Sequence, residues 1–255
     1  MMKRTALIIA AIVACVGVQS ESRADYLGSA GSYAVLGGST VTNTGPSILE
    51  GDLGVSQGTS ITGFPPGTVT GTIHANDAAA ILANADASAA YVVLANLTGA
   101  VGLTGQNLGG LTLTPGVYHF NSSAQLTGTL TLDAQGQASP LFVFQIGSTL
   151  TTASASSILM INGTDVSNVY FQVGSSATLG VATEFVGTII ASESDTLTTG
   201  ANVNGRVIAL NGAVTLDSNH IFLRPVPEPS ALISFGLGGL GLLGYGLCRG
   251  KTAKT

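Results

Sequence analysis

The chain has no tryptophan, only two cysteines, and almost no positive charge through its middle. No lysine or arginine lies between Arg23 and Arg206, and from residue 25 to residue 223 eleven acidic residues face a single basic one, Arg206. Holding a phosphate backbone needs clustered cations, so nucleic acid is excluded as a partner, and an anionic membrane surface is unsuited for the same reason. Cys15 and Cys248 sit in the two end segments, so the body has no disulfide or thiol chemistry and depends on packing and backbone pairing. Disorder is excluded because Val, Ile, Leu and Phe recur in short alternating runs. About 200 residues suffice for one core and one domain.

Catalytic and metal-binding patterns are missing as well. His74, His119 and His220 are scattered without metal-ligand spacing and read as turn or surface residues. There is no Gly-x-Ser-x-Gly elbow and no phosphate loop. Gly236, Gly238 and Gly241 have dinucleotide-fingerprint spacing, but no βαβ unit surrounds them. Glu50-Gly51-Asp52 and Glu193-Ser194-Asp195 offer loose calcium loops that read better as exposed turns. A carbohydrate-active enzyme on a parallel fold needs clustered carboxylates or a base, and neither is visible. The expectation is a non-enzymatic protein with no cofactor and no metal.

The ends carry addresses. Lys3 and Arg4 precede an apolar run over 6–18, and Ser22-Arg23-Ala24 has small-x-small character; residues 1–24 read as a secretory signal peptide, too short for a membrane span. Near the other end, Val226-Pro227-Glu228-Pro229-Ser230 precedes an uncharged, Leu- and Gly-rich stretch, 231–248, and then Arg249 and Lys251. Eighteen residues just cross a thin hydrocarbon core, with the basic end left cytoplasmic. A box with Pro227, Glu228 and Pro229, an apolar span and a basic end resembles the PEP-CTERM sorting signal of Gram-negative bacteria. The resemblance implies export, an inner-membrane-anchored precursor, cutting by an exosortase-type enzyme, and a final place at the cell surface or outside the cell. The alternative is an ordinary C-terminal anchor.

Between the ends, over 25–224, the sequence repeats itself. Segments STLTTASAS, ATLGVATEF, DTLTTGANV and VTLDSNHIF align on Thr149, Thr178, Thr196 and Thr215, at intervals of 29, 18 and 19 residues. FVFQIGS returns as VYFQVGS, and GTIIAS as GRVIAL. Short β-rich runs near an 18–19-residue period, punctuated by Gly, Ser and Asn, predict a β-solenoid, in which stacked coils share a core that no coil could bury alone. A β-sandwich is the competing architecture. One stretch differs: residues 76–97 are Ala-rich without Gly or Pro and predict one long helix capped by Asn76 or Asp77. Ile81, Leu82, Ala85, Ala89, Val92 and Val93 make an apolar stripe on it, and a narrow face of small residues suits close packing against a sheet.

These pieces together resemble the microbial ice-binding family. The resemblance rests on LGSAGSYAVLGGSTVTNTGPSILEGDLGVSQGTSITGFPPGTVTGTIHANDAAA, LGGLTLTPGVYHFNSSAQLTGTLTLDAQG and VNGRVIALNGAVTLDSN, among other runs. It implies a mainly β, right-handed discontinuous β-solenoid of triangular section with one helix alongside, and a small cap or none over 98–109. It also implies ice as partner, bound through a Thr-(Ala/Gly)-x-(Thr/Asn) column. Thr199, Gly200, Ala201 and Asn202 match that pattern fully. Thr152, Ala153 and Ser154 match in part, Ala182 and Thr183 stand beside the departures Val181 and Glu184, and Ser218 and Asn219 are looser. The Thr149, Thr178, Thr196 and Thr215 column is the alternative outward surface, since strand parity leaves the choice open. A rival function is a structural or adhesive matrix protein associated with exopolysaccharide.

Overall fold

The computed structural model describes residues 26–137, 139–163 and 168–222. The expected signal peptide and sorting segment lie outside these. The strands form a fifteen-stranded and a seven-stranded sheet, and every strand pairing is parallel. A sandwich of antiparallel hairpins is therefore excluded. The larger sheet folds round a corner within the long strands Glu184–Ala191 and Asn202–Ala209, at Gly187 and Gly205. These glycines are register partners with φ of 118° and 152°, and a Cβ on Gly205 would stand 2.0 Å from the Gly187 carbonyl oxygen. Only glycine fits there. The coils thus have three faces.

The repeats seen in sequence are structural partners. Phe142, Val143, Phe144 and Gln145 pair with Val169, Tyr170, Phe171 and Gln172, and Gly187 pairs with Gly205. One alignment is corrected. Thr178 pairs with Thr151, not Thr149. A slip of two keeps every side chain on its face, so the pattern Thr-Leu-Thr-Thr reads equally well in either register.

Winding is discontinuous. The early strand Tyr33–Gly37 pairs with the late strand Asn202–Ala209 through Val35 with Val207 and Leu36 with Ile208. Inside, Tyr118, Phe144, Phe171 and Phe185 stack at centroid distances of 5.4, 4.4 and 4.7 Å along the axis. At the end near residue 100, Leu103 and Leu108 are buried and form a small cap.

The helix, Ala78–Ala95, begins where Asp77 accepts the Ala80 amide at 2.9 Å, and it lies over the first face. Its packed side is Ala80, Ala83, Asn84, Ala87, Ala90 and Leu94, against Leu36, Val143, Tyr170, Ile190 and Ile208. The larger residues of the stripe read from sequence, Ile81, Leu82, Val92 and Val93, point to solvent instead. The face beneath is already filled by bulky side chains, so only small residues let the helix backbone approach. Asn84 Nδ2 donates to the Leu210 carbonyl at 3.1 Å. Gln145 Nε2 donates to the carbonyls of Leu94 and Leu97 at 2.8 and 2.9 Å, satisfying groups that a helix end leaves open.

Candidate functional site

The second face is the seven-stranded sheet, made by Ala124–Leu126, Leu150–Thr152, Ala177–Leu179, Asp195–Leu197, Val214–Asp217, Thr40–Thr44 and Ser60–Thr62. Alternation sends Ala124, Leu150, Ala177, Asp195, Val214 and Val41 inward, where all are buried. The residues between them point outward and stand in register: Gln125, Thr151, Thr178, Thr196, Thr215, Thr42 and Thr62. A second outward column, two residues earlier on each strand, holds Ser123, Thr149, Ser176, Ser194, Ala213, Thr40 and Ser60. Neither column carries a charge. The hydroxyls tie neighbouring coils together: Thr149 Oγ1 donates to Ser123 Oγ at 2.8 Å, and the Ala213 amide to Ser194 Oγ at 3.1 Å.

Spacing follows from the fold. Adjacent coils are about 4.8 Å apart, and alternate residues on one strand about 6.7 Å apart. β-branching restricts the threonine χ1, which limits the orientations the stacked methyls and hydroxyls can take. The result is a two-column lattice of threonine methyls and of Thr and Ser hydroxyls, interrupted by Gln125 and Ala213.

The column expected from the Thr-(Ala/Gly)-x-(Thr/Asn) pattern lies elsewhere. It forms the corner between the second and third faces, where Ala155, Ala182, Gly200 and Ser218 have φ near +55° to +69°. Thr152, Thr183, Ala201 and Asn219 are buried there. Thr152 Oγ1 bonds Thr183 Oγ1 at 2.8 Å and accepts the Gly180 amide at 2.8 Å. Asn219 Nδ2 donates to the carbonyls of Thr198 and Ala201 at 2.9 and 2.8 Å. These four hold the turn together. Ser154, Ala182 and Thr199 are exposed, and Ala153, Gly200, Asn202 and Ser218 are half-buried, so they border the threonine face as a rim.

The third face is mixed. Along it Thr129, Ser157, Glu184, Asn202, His220 and Ile48 stand in register. Glu184 accepts Asn202 Nδ2 at 2.8 Å, and His220 Nε2 meets Glu50 Oε1 at 2.7 Å. Charges of this kind hold their own water shells. Among the described residues no group of three or more His, Cys, Asp or Glu side chains is placed to hold a metal ion.

The architecture defines a class: a discontinuous parallel solenoid with a helix along one face and a hydroxyl lattice on another. An ice-binding-like family model matches residues 35–222, so the chain belongs to that family. A PEP-CTERM protein-sorting motif matches residues 225–250. The chain is 56% identical over 250 residues to an ice-binding protein of Nostoc sp. (strain HG1), covering 92% of this chain and 93% of that protein. The fold is similar to that of an ice-binding protein from an Antarctic biological consortium, at 50% identity and a TM-score of 0.76, covering 77% of this chain and 90% of that one. It is also similar to an Arctic yeast ice-binding protein, at 31% identity and a TM-score of 0.74, covering 80% of this chain and 96% of that one.

Proposed function

We propose that the chain is a non-enzymatic ice-binding protein that holds ice through the threonine face of its seven-stranded sheet. The observation that carries this is the in-register, uncharged column Thr151, Thr178, Thr196, Thr215, Thr42 and Thr62. Ice offers no pocket, so a binder needs a flat, regular surface. Methyls at a fixed repeat order adjacent water, and the hydroxyls between them hold it. The exposed corner residues Ser154, Ala182 and Thr199, with half-buried Gly200 beside them, extend the surface along one edge.

Residues 1–24 direct export, and the segment 225–255 anchors the precursor through 231–248 until an exosortase-type enzyme cuts near Pro227-Glu228-Pro229. The mature body, from about residue 25 to 224, then acts at the cell surface or outside the cell. The sorting motif also favours a place in the surface matrix, where exopolysaccharide is a second partner.

Ice-affinity partitioning tests the reading. The parent protein should enter a growing ice phase. Thr196→Tyr, at the middle of the face, should exclude most of it from ice, while Leu159→Tyr on the third face should leave partitioning unchanged. Both sites are on the surface, so each shifts stability by about 0.5 kcal/mol or less. Equal loss from both variants, or none from Thr196→Tyr, rejects the face. Binding to exopolysaccharide without entry into ice favours the matrix reading.

A further inference from the structure

The outer side of the helix is apolar and uncovered. Ile81, Leu82, Val92 and Val93 are 53, 56, 57 and 47% exposed, with Ala85 and Ala89 between them. Asp86, the acidic residue inside the helix, is turned away and accepts the Ser29 amide and hydroxyl at 2.8 and 2.6 Å. A stripe of this kind on a soluble body marks a surface that meets something.

Where the chain leaves the solenoid indicates what it meets. The last described strand, His220–Phe222, pairs through Phe222 with Asn204. Two residues beyond Asn204, Arg206 Nε donates to the Gly31 carbonyl at 2.8 Å, in the 3-10 turn Gly28–Ser32. That turn packs on the helix through Ser29 and Asp86. The place beside Val207 and Ile208 that a continuing coil would take is filled by Tyr33–Gly37. The exit therefore lies on the helix side, away from the threonine face. Only eight residues, 223–230, separate Phe222 from the apolar stretch 231–248. Fully extended, eight residues reach about 28 Å.

We infer that in the anchored precursor the stripe Ile81, Leu82, Val92 and Val93 lies against the lipid bilayer and seats the body on the membrane with the threonine face turned away. This rests on the reading of 231–248 as a membrane anchor. Burial of apolar side chains drives the contact and charge does not, so zwitterionic lipid suits this acidic body. The short tether keeps the local concentration of bilayer high, so a weak contact suffices. Seating also holds the box at Pro227-Glu228-Pro229 close to the bilayer surface.

The test uses the full chain carrying Cys15→Ser and Cys248→Ser, reconstituted into phosphatidylcholine vesicles. A nitroxide label is placed singly through Leu82→Cys, Val93→Cys, Thr215→Cys or Leu243→Cys, and its collisions with oxygen and with a water-soluble nickel chelate are read. The expected result is an oxygen-to-nickel ratio severalfold higher at positions 82 and 93 than at 215. If the label at 243 reports lipid while those at 82 and 93 meet nickel as freely as 215, the seating is overturned and the anchor stands. A label at 243 that reports water removes the anchor reading and the inference with it. Labels at 82 and 93 shielded from both reagents, with dipolar broadening lost on dilution by unlabelled chain, would show a second copy on the face and overturn the lipid contact.

Discussion

Two buried positions of the threonine sheet break the apolar rule, and they are resolved differently. Thr152 stands in register with Leu126, and its hydroxyl is satisfied by Thr183 and the Gly180 amide. Asp195 is fully buried, its register neighbours are Ala177 and Val214, and neither carboxylate oxygen has a hydrogen-bond partner among the described residues. Burial pushes its carboxyl well above the ordinary value of 3.8, with the nearby Ala177 amide, which itself donates to the Ser194 carbonyl, opposing only in part, so the protonated form persists above the pH at which an ordinary aspartate ionises. A raised folded value means that the unfolded chain releases this proton first as pH rises. Stability is then full below about pH 4 and falls from there up to the folded value. Asp195→Val should remove that dependence. Thermal melts should show the variant gaining on the parent as pH increases from 4 to 7, with the smallest difference at the acid end. A constant difference across that range would contradict the protonated assignment.

At the scale of elements, the helix carries two stripes at helical spacing, and the smaller one does the packing. Sequence periodicity alone favours neither, because both satisfy the three- and four-residue intervals. The choice is made by the sheet, whose first face is already crowded by Leu36, Val143, Tyr170, Ile190 and Ile208. Overfilling the contact should therefore cost more than trimming the outer stripe. Ala87→Leu, at a site with no exposure, should destabilise by about 1–3 kcal/mol. Leu82→Ala, more than half exposed, should stay within about 0.5 kcal/mol of the parent. Thermal unfolding of the two variants checks the order, and a larger loss from Leu82→Ala would mean that the packed side is misassigned.

For the whole molecule, the three faces divide the work. One is closed by the helix, one is mixed and partly charged, and one presents the uncharged hydroxyl lattice. The sorting segment governs where that lattice is displayed. Replacing Pro227 and Glu228 by Ala should leave an uncut, membrane-bound precursor, read by fractionation and by the mass of the chain. Normal release of the altered chain would refute exosortase-type processing.

Much of this was legible in the linear chain. The solenoid was written in columns that keep residue identity, such as Phe142-Val143-Phe144-Gln145 over Val169-Tyr170-Phe171-Gln172, because each coil must match the one below it to share a core. The helix was legible because composition changes abruptly there, and the structure chose Asp77 over Asn76 as its cap. The surface of threonines was legible as the repeating column Thr149, Thr178, Thr196 and Thr215, with its exact partners and its side left open. Which threonines stand together was decided by register, and a slip of two residues preserves every facing while changing every partner. That Thr152, Thr183, Ala201 and Asn219 are buried at a corner was decided by the turn, where positive φ at Ala182, Gly200 and Ser218 swings their neighbours inward. Local pattern specifies which residues alternate, and only the closed coil specifies which side is out.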